Sequence, residues 1–392
     1  MKKTNTFLAI LLLMMAACGE GNKQATEIIT VDVSANYPEK ELILQDIMDV
    51  EYVPLETTDE FITKGVVKAI GKEILLITNQ GNDGDILVFD RKTGKGIRKI
   101  NRKGQGGEEY SYPYYITLDE DKKEMFVADY ATRKILVYDL SGNFKRSFKY
   151  TDTSYYNDLF DYDRDHLITY KNYPALQEND KACHILISKQ DGSVAREIRT
   201  PFKELETPIV TKDEFIVSPE FHQTYPDHTD WLLVNTSSDT IYRYSADGSI
   251  SPSVVRTPSI HAMETKVFLF PTVMADRYYF MQTVKNVFNF EKGNGFYTDE
   301  LMYDKEEKAV YQVAVYNGDY AEKRTVAMTA KPINSEIEDA TSLNASRLVE
   351  IYKKGQLKDG QLKEIASRLS EEDNPVIMLV RQKTKVNKMS PK

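Results

Sequence analysis

The chain is poor in several things that would narrow its chemistry. Only two of its 392 residues are cysteine, Cys18 and Cys183, which excludes a disulfide framework and any Cys-rich metal site. Its five histidines stand apart as His166, His184, His222, His228 and His261, with no His-Glu-x-x-His spacing, so a zinc centre has no support. A Gly-x-Ser-x-Gly elbow and a Gly-Lys-Ser or Gly-Lys-Thr phosphate loop are also missing, which removes the usual signals of serine esterases and nucleotide enzymes. The apolar run Phe7 to Met15 is too short to span a bilayer. Basic clusters are lacking too. With 60 acidic against 51 basic residues the net charge is -9, which argues against nucleic acid or anionic lipid head groups as partners. Proline (14) and glycine (19) are too few for a disordered or collagen-like chain.

What is abundant is aromatic. The sequence holds 25 Tyr and 16 Phe beside a single Trp, with frequent Val, Ile and Thr, a composition that favours strands. At the N-terminus Lys2 and Lys3, the apolar run and then "MAAC" have the charged, apolar and small-residue parts of a secretory signal. Small residues before Cys18 have the form of a bacterial lipobox. The expectation is a signal peptide over 1–17, lipid on Cys18, a polar tether over 18–27, and an envelope protein held to the outer membrane, facing periplasm or cell surface. Loss of Lys2 and Lys3 would take the net charge from -9 to -11.

One phrase recurs. "ILVFDRKTGKGIRKI" starts at Ile86, "ILVYDLSGNFKRSF" at Ile135, "ILISKQDGSVAREI" at Ile185 and "IYRYSADGSISPSV" at Ile241, with a weaker copy, "LMYDKEEKAVYQVAV", at Leu301. Each is strand, polar turn, strand, and four of the turns contain glycine. Upstream of each lies another strand pair: "VVKAIGKEILLIT", "YITLDEDKKEMFVAD", "LFDYDRDHLITY", "PIVTKDEFIVSP" and "FPTVMADRYYFMQ". Four strands at a period near 50 residues is the arithmetic of a propeller blade. Residues 28–392 are therefore expected to form an all-β, six-bladed β-propeller with four-stranded antiparallel blades. The sixth blade would be closed by pairing "VEYVPLE" (50–56) with "NPVIMLVRQK" (374–383), its first two strands lying within 324–343. A helical insertion over about 345–370 is expected to pack outside blade six.

The chain resembles the six-bladed β-propeller lipoproteins of diderm bacteria, which are related to NHL-repeat propellers. The residues that carry the resemblance are "EYVPLETTDE" (51–60), "KGQGGEEY" (103–110), "MFVADYATRKILVYDLSGNF" (125–144) and "EEDNPVIMLVRQK" (371–383). The chain departs from the family run at Gly107, where Pro is usual, and at Glu108, where Gly is usual. The resemblance implies an exported, lipid-anchored propeller, often found beside glycan-uptake genes and without established catalytic residues.

Strand order predicts which face works. Connections between blades and between second and third strands share one face, while the glycine turns share the other. The first set is long, with Lys171 to Lys181, Glu220 to Asp230 and Gln282 to Thr298, and long loops on a rigid scaffold are where binding resides. The candidate binding residues on this face are Gln105, Glu108, Tyr110, Tyr114, Tyr130, His222, Tyr225 and Trp231. Asp161, Asp163 and Asp165 match the start of a calcium loop, but His166 and Asn172 break the pattern, and a turn between inner strands explains them better. No metal, cofactor or catalytic residue is assigned. The expected role is a monomeric, non-catalytic module that binds a partner protein or glycan. The alternative is a propeller hydrolase or lyase with carboxylate or histidine groups, and calcium, in the central channel.

Overall fold

The computed structural model describes residues 28–79, 83–173, 181–290, 295–329 and 332–383; Cys18 and the leader lie outside them. Three strands come first: β1 (Ile29–Asp32), β2 (Glu39–Ile43) and, after the single helical turn α1 (Leu44–Ile47), β3 (Met48–Pro54). Blade one holds β4 (Val66–Ile70), β5 (Ile74–Thr78), β6 (Asp85–Asp90) and β7 (Gly96–Asn101). Blade two holds β8 (Pro113–Asp119), β9 (Glu124–Asp129), β10 (Lys134–Asp139) and β11 (Phe144–Lys149), and blade three β12 (Tyr155–Asp161), β13 (His166–Asn172), β14 (Cys183–Ser188) and β15 (Val194–Ile198). A separate hairpin, β16 (Val210–Lys212) and β17 (Phe215–Val217), precedes blade four, which is β18 (Thr224–Asp227), β19 (Asp230–Leu233), β20 (Thr240–Tyr244) and β21 (Ile250–Thr257). Blade five is β22 (Val267–Met274), β23 (Tyr278–Phe288), β24 (Phe296–Asp304) and β25 (Ala309–Tyr316). Blade six joins β26 (Ile337–Leu343), helices α2 (Ala345–Lys353) and α3 (Gln361–Ala366), and β27 (Val376–Gln382) to β3. The protein is a six-bladed β-propeller.

The burial pattern explains why these segments are strands. Middle strands such as β9 and β10 have a blade on each side, so they read as apolar runs; outer strands such as β11 alternate. Along β9, Met125 and Val127 enter the seam with blade one, while Phe126 and Ala128 enter the seam with blade three. Six such apolar clusters fill the six seams. The core is thus spread around the wheel. Ring closure follows the expected pairing, with β27 antiparallel to β3 from Val376↔Pro54 to Gln382↔Met48.

Four features differ from the expectation. "PIVTKDEFIVSP" forms the detached hairpin β16–β17, and the inner pair of blade four is instead β18 and β19, from "TYPDHTDWLL". Consequently Glu220 to Asp230 is no loop. Strands β1 and β2 add a fifth, parallel strand to the outer edges of blades four and five, pairing with β21 and β25. The helices link β26 to β27 and fill the seam between blades five and six, where Leu348, Ile351 and Leu362 meet Met302, Val313 and Tyr52. Last, among the described residues blade six shows three paired strands, β26, β27 and β3.

Met274 N, at the end of β22, bonds Glu338 Oε2 at the start of β26 (3.3 Å), and Ser342, at the end of β26, bonds Gly65 before β4. β26 therefore runs against its neighbouring inner strands and occupies the second-strand direction of the blade pattern. Val326 N is bonded to Val315 O on the long-loop face (2.8 Å), and Asn334 Nδ2 to Ile70 O on the glycine-turn face (2.9 Å). Among the described residues of 317–336 no strand takes the innermost place of this blade.

Candidate functional site

A cavity of about 400 Å³ lies between blades four, five and six, bordered by Ala327 and Thr329 of the segment before β26. Three blades border it. Glu220, Phe221 and His222 come from the segment before β18 and Tyr225 from β18 itself; Phe270 and Thr272 lie on β22; Asp339 and Thr341 lie on β26. The lining is of mixed character. Phe221 and Phe270 stack at 5.1 Å, and Thr272 Oγ1 is buried with no hydrogen-bond partner among the described residues.

Local geometry positions His222. Strand β12 bulges between Asn157 and Phe160, and Asp158 within the bulge takes the left-handed conformation (φ 57°) while fully buried. Its carboxylate accepts from His222 Nδ1 (2.7 Å), Gln223 N (2.7 Å) and Thr224 N (3.3 Å). Behind it, burial pushes His184 down to about 4, so its neutral ring donates from Nε2 to Gln223 O (2.8 Å). His222, about one-quarter exposed, is thus a fixed imidazole at the cavity edge. On β26 Asp339 is only 7% exposed and accepts from Thr341 Oγ1 (2.7 Å). Burial raises its carboxyl above the ordinary range.

A second polar-aromatic feature lies at blades two and three. Tyr114 and Tyr130 are exposed, with rings 5.5 Å apart, and Tyr130 stacks on Tyr155 at 4.3 Å. Tyr112 continues the row from Tyr114 at 5.9 Å. Lys68 Nζ lies 6.0 Å from the Tyr114 ring, and the Arg133 guanidinium 5.9 Å from Tyr155.

The structure sorts the sequence candidates into three groups. His222 and Tyr225 border the cavity, and Tyr114 and Tyr130 form the exposed row. Gln105 and Glu108 are exposed, but the cavity draws nothing from their loop, which is pinned on the other side by Arg102 Nε to Gly142 O (2.8 Å) and Tyr138 Oη to Glu108 O (2.7 Å). Tyr110 and Trp231 are buried seam residues. Tyr110 Oη accepts from Arg102 N (3.0 Å) and donates to Gly84 O (2.7 Å), and Trp231 packs on Phe160 at 5.4 Å. His228 belongs to the β18–β19 turn on the opposite face, bound to Asp227 (2.8 Å) and Asp276 (3.2 Å), so it does not meet His222. The "DYDRDH" carboxylates are consumed locally, Asp163 by Asp165 N and His166 N and Asp161 by Lys189. Among the described residues no group of three metal-ligating side chains converges.

Asp158, Thr272 and Asp339 escaped the sequence reading. Adjacent acids within the strand "IEDATSL" were the available signal for Asp339. Nothing comparable marks Asp158, whose place depends on a bulge.

Comparison with known proteins agrees with the architecture. A Bacteroides fragilis protein described as exported is 18% identical, with a TM-score of 0.61 over 91% of this chain and 100% of that one. A member of the duf4221 family from Bacteroides vulgatus is 11% identical, with a TM-score of 0.47 over 86% of this chain and 97% of that one. Virginiamycin B lyase from Staphylococcus aureus, 12% identical over 85% of this chain and 99% of the lyase, reaches a TM-score of 0.36. No curated protein matches the sequence. The family described as 6-bladed beta-propeller (DUF5128) matches residues 20–338, and the chain belongs to that family.

Proposed function

We propose that this propeller is an envelope-located, lipid-anchored binding module that takes a sugar unit of a glycan in the cavity beside blade six, without catalysis. The observation that carries the reading is the cavity itself. It has a stacked Phe221–Phe270 wall opposite fixed polar groups, and apolar faces with a few convergent hydrogen-bonding groups suit a sugar ring. The tyrosine row offers further ring faces for a longer chain, or for a protein partner. Anchoring rests on the Cys18 motif; among the described residues no helix is long and apolar enough to cross a membrane. The test is a glycan array and pull-down with the chain from residue 19 on, repeated with Ala327→Trp, which fills the cavity without removing a hydrogen bond. Capture that disappears in the variant supports the cavity; unchanged capture removes it from the reading.

A second reading is favoured by one observation. The pair Asp158–His222 at 2.7 Å holds an imidazole in the manner of an oriented base, with the protonation-prone Asp339 bordering the same space. A hydrolase or lyase would use them as base and acid. Turnover of a captured glycan that is abolished by His222→Ala would replace the binding module with this enzyme.

A further inference from the structure

We infer that the cavity selects a ligand carrying an ammonium group among its hydroxyls, an amino sugar being the fitting class. This rests on the sugar-binding reading above and narrows it. Among the described residues the charged side chains bordering the cavity are Glu220 and Asp339, and neither Lys nor Arg borders it. His222 at the cavity edge has its Nδ1 2.7 Å from the buried carboxylate of Asp158.

Asp339 is the centre of the argument. It is almost wholly buried, its carboxylate accepts from two neutral donors, the Thr341 hydroxyl (2.7 Å) and the Ala340 backbone, and no ion pair reaches it among the described residues. A carboxylate held this way is costly unless a cation arrives, and two other deeply buried acids of this molecule have one, Asp119 with Lys189 (2.5 Å) and Asp304 with Arg277 (2.8 Å), while Asp129 and Glu338 are held by several neutral donors instead. Here the carboxylate belongs to the lining of the cavity. The unpartnered Thr272 hydroxyl on the neighbouring blade gives a second, independent sign that a hydrogen-bonding ligand completes the site. An acidic sugar would instead set its carboxylate against Glu220 and Asp339.

Calorimetry with glucosamine, glucose and glucuronate near neutral pH separates these possibilities, using the chain from residue 19 on, which keeps every described element. Glucosamine is expected to bind about tenfold or more tighter than glucose, with glucuronate weakest. Asp339→Asn should abolish that preference while leaving the unfolding midpoint equal or higher, since it removes an uncompensated buried charge. Glu220→Gln, at an exposed position, should weaken glucosamine by a smaller factor. Equal binding of glucose and glucosamine overturns the charge inference and leaves the sugar pocket standing. Failure of all three sugars together with an empty glycan array overturns both, and preference for glucuronate overturns the inference outright.

Discussion

At the scale of single residues, the Gly-rich loop shows how a motif can be conspicuous for a structural reason. Tyr110 ties it to Arg102 and Gly84, so Tyr110→Phe is expected to cost about 1–3 kcal/mol in chemical denaturation. Gln105→Ala and Glu108→Ala, at exposed positions, should stay within about 0.5 kcal/mol. His228 supplies a pH signature. Hydrogen bonding to Asp227, aided by Asp276, lifts it from 6.5 to about 9. Because the folded form binds the proton more tightly, its contribution is complete below about pH 6.5 and lost as pH rises through about 9. Unfolding midpoints measured from pH 6 to 10 should fall across that window and fall less in His228→Asn. Tyr114 and Tyr130 were legible as aromatics and prove exposed, and His222 was legible as a polar group before blade four, whereas Tyr225 is buried on β18. Asp158 was not, because a bulge rather than a spacing turns it toward His222.

At the scale of elements, the repeat was legible wherever a middle strand is buried on both faces. Blade four misled because its inner strands are only four residues each and β18, "TYPD", is polar, with Asp227 neutralised by Arg243 at 2.6 Å, whereas the hairpin "VTKDEFIV" reads as a strand pair. Strands β1 and β2 gave little signal at four and five residues. Their effect is testable. Removing residues 28–43 uncovers the edges of β21 and β25, so the truncated chain is expected to keep its ring yet aggregate more readily, as light scattering would report. Gly94, in the turn between β6 and β7, has φ 69°, and a methyl group there would lie 1.9 Å from Pro54 O. Gly94→Ala should therefore destabilise the seam between blades six and one by more than about 1 kcal/mol.

At the scale of the whole molecule, closure depends on strands more than 300 residues apart in the sequence. Asn374 fastens them: it donates to Glu56 O (2.7 Å) and Phe61 O (2.6 Å) and accepts from Thr63 N (2.8 Å). Asn374→Ala leaves those groups unpaired in a buried place and is expected to cost about 2–4 kcal/mol, read as a lower midpoint in urea. The innermost place of blade six could not be read from sequence, since the described residues of 317–336 carry no alternating run.

The outer strands β1 and β2 also have a mechanical meaning. Tension entering at the amino terminus meets the rim of blade four first, then the rim of blade five, and only afterwards β3, whose pairing shuts the wheel. A tethered molecule would yield in small steps at its circumference while the working cavity kept its shape.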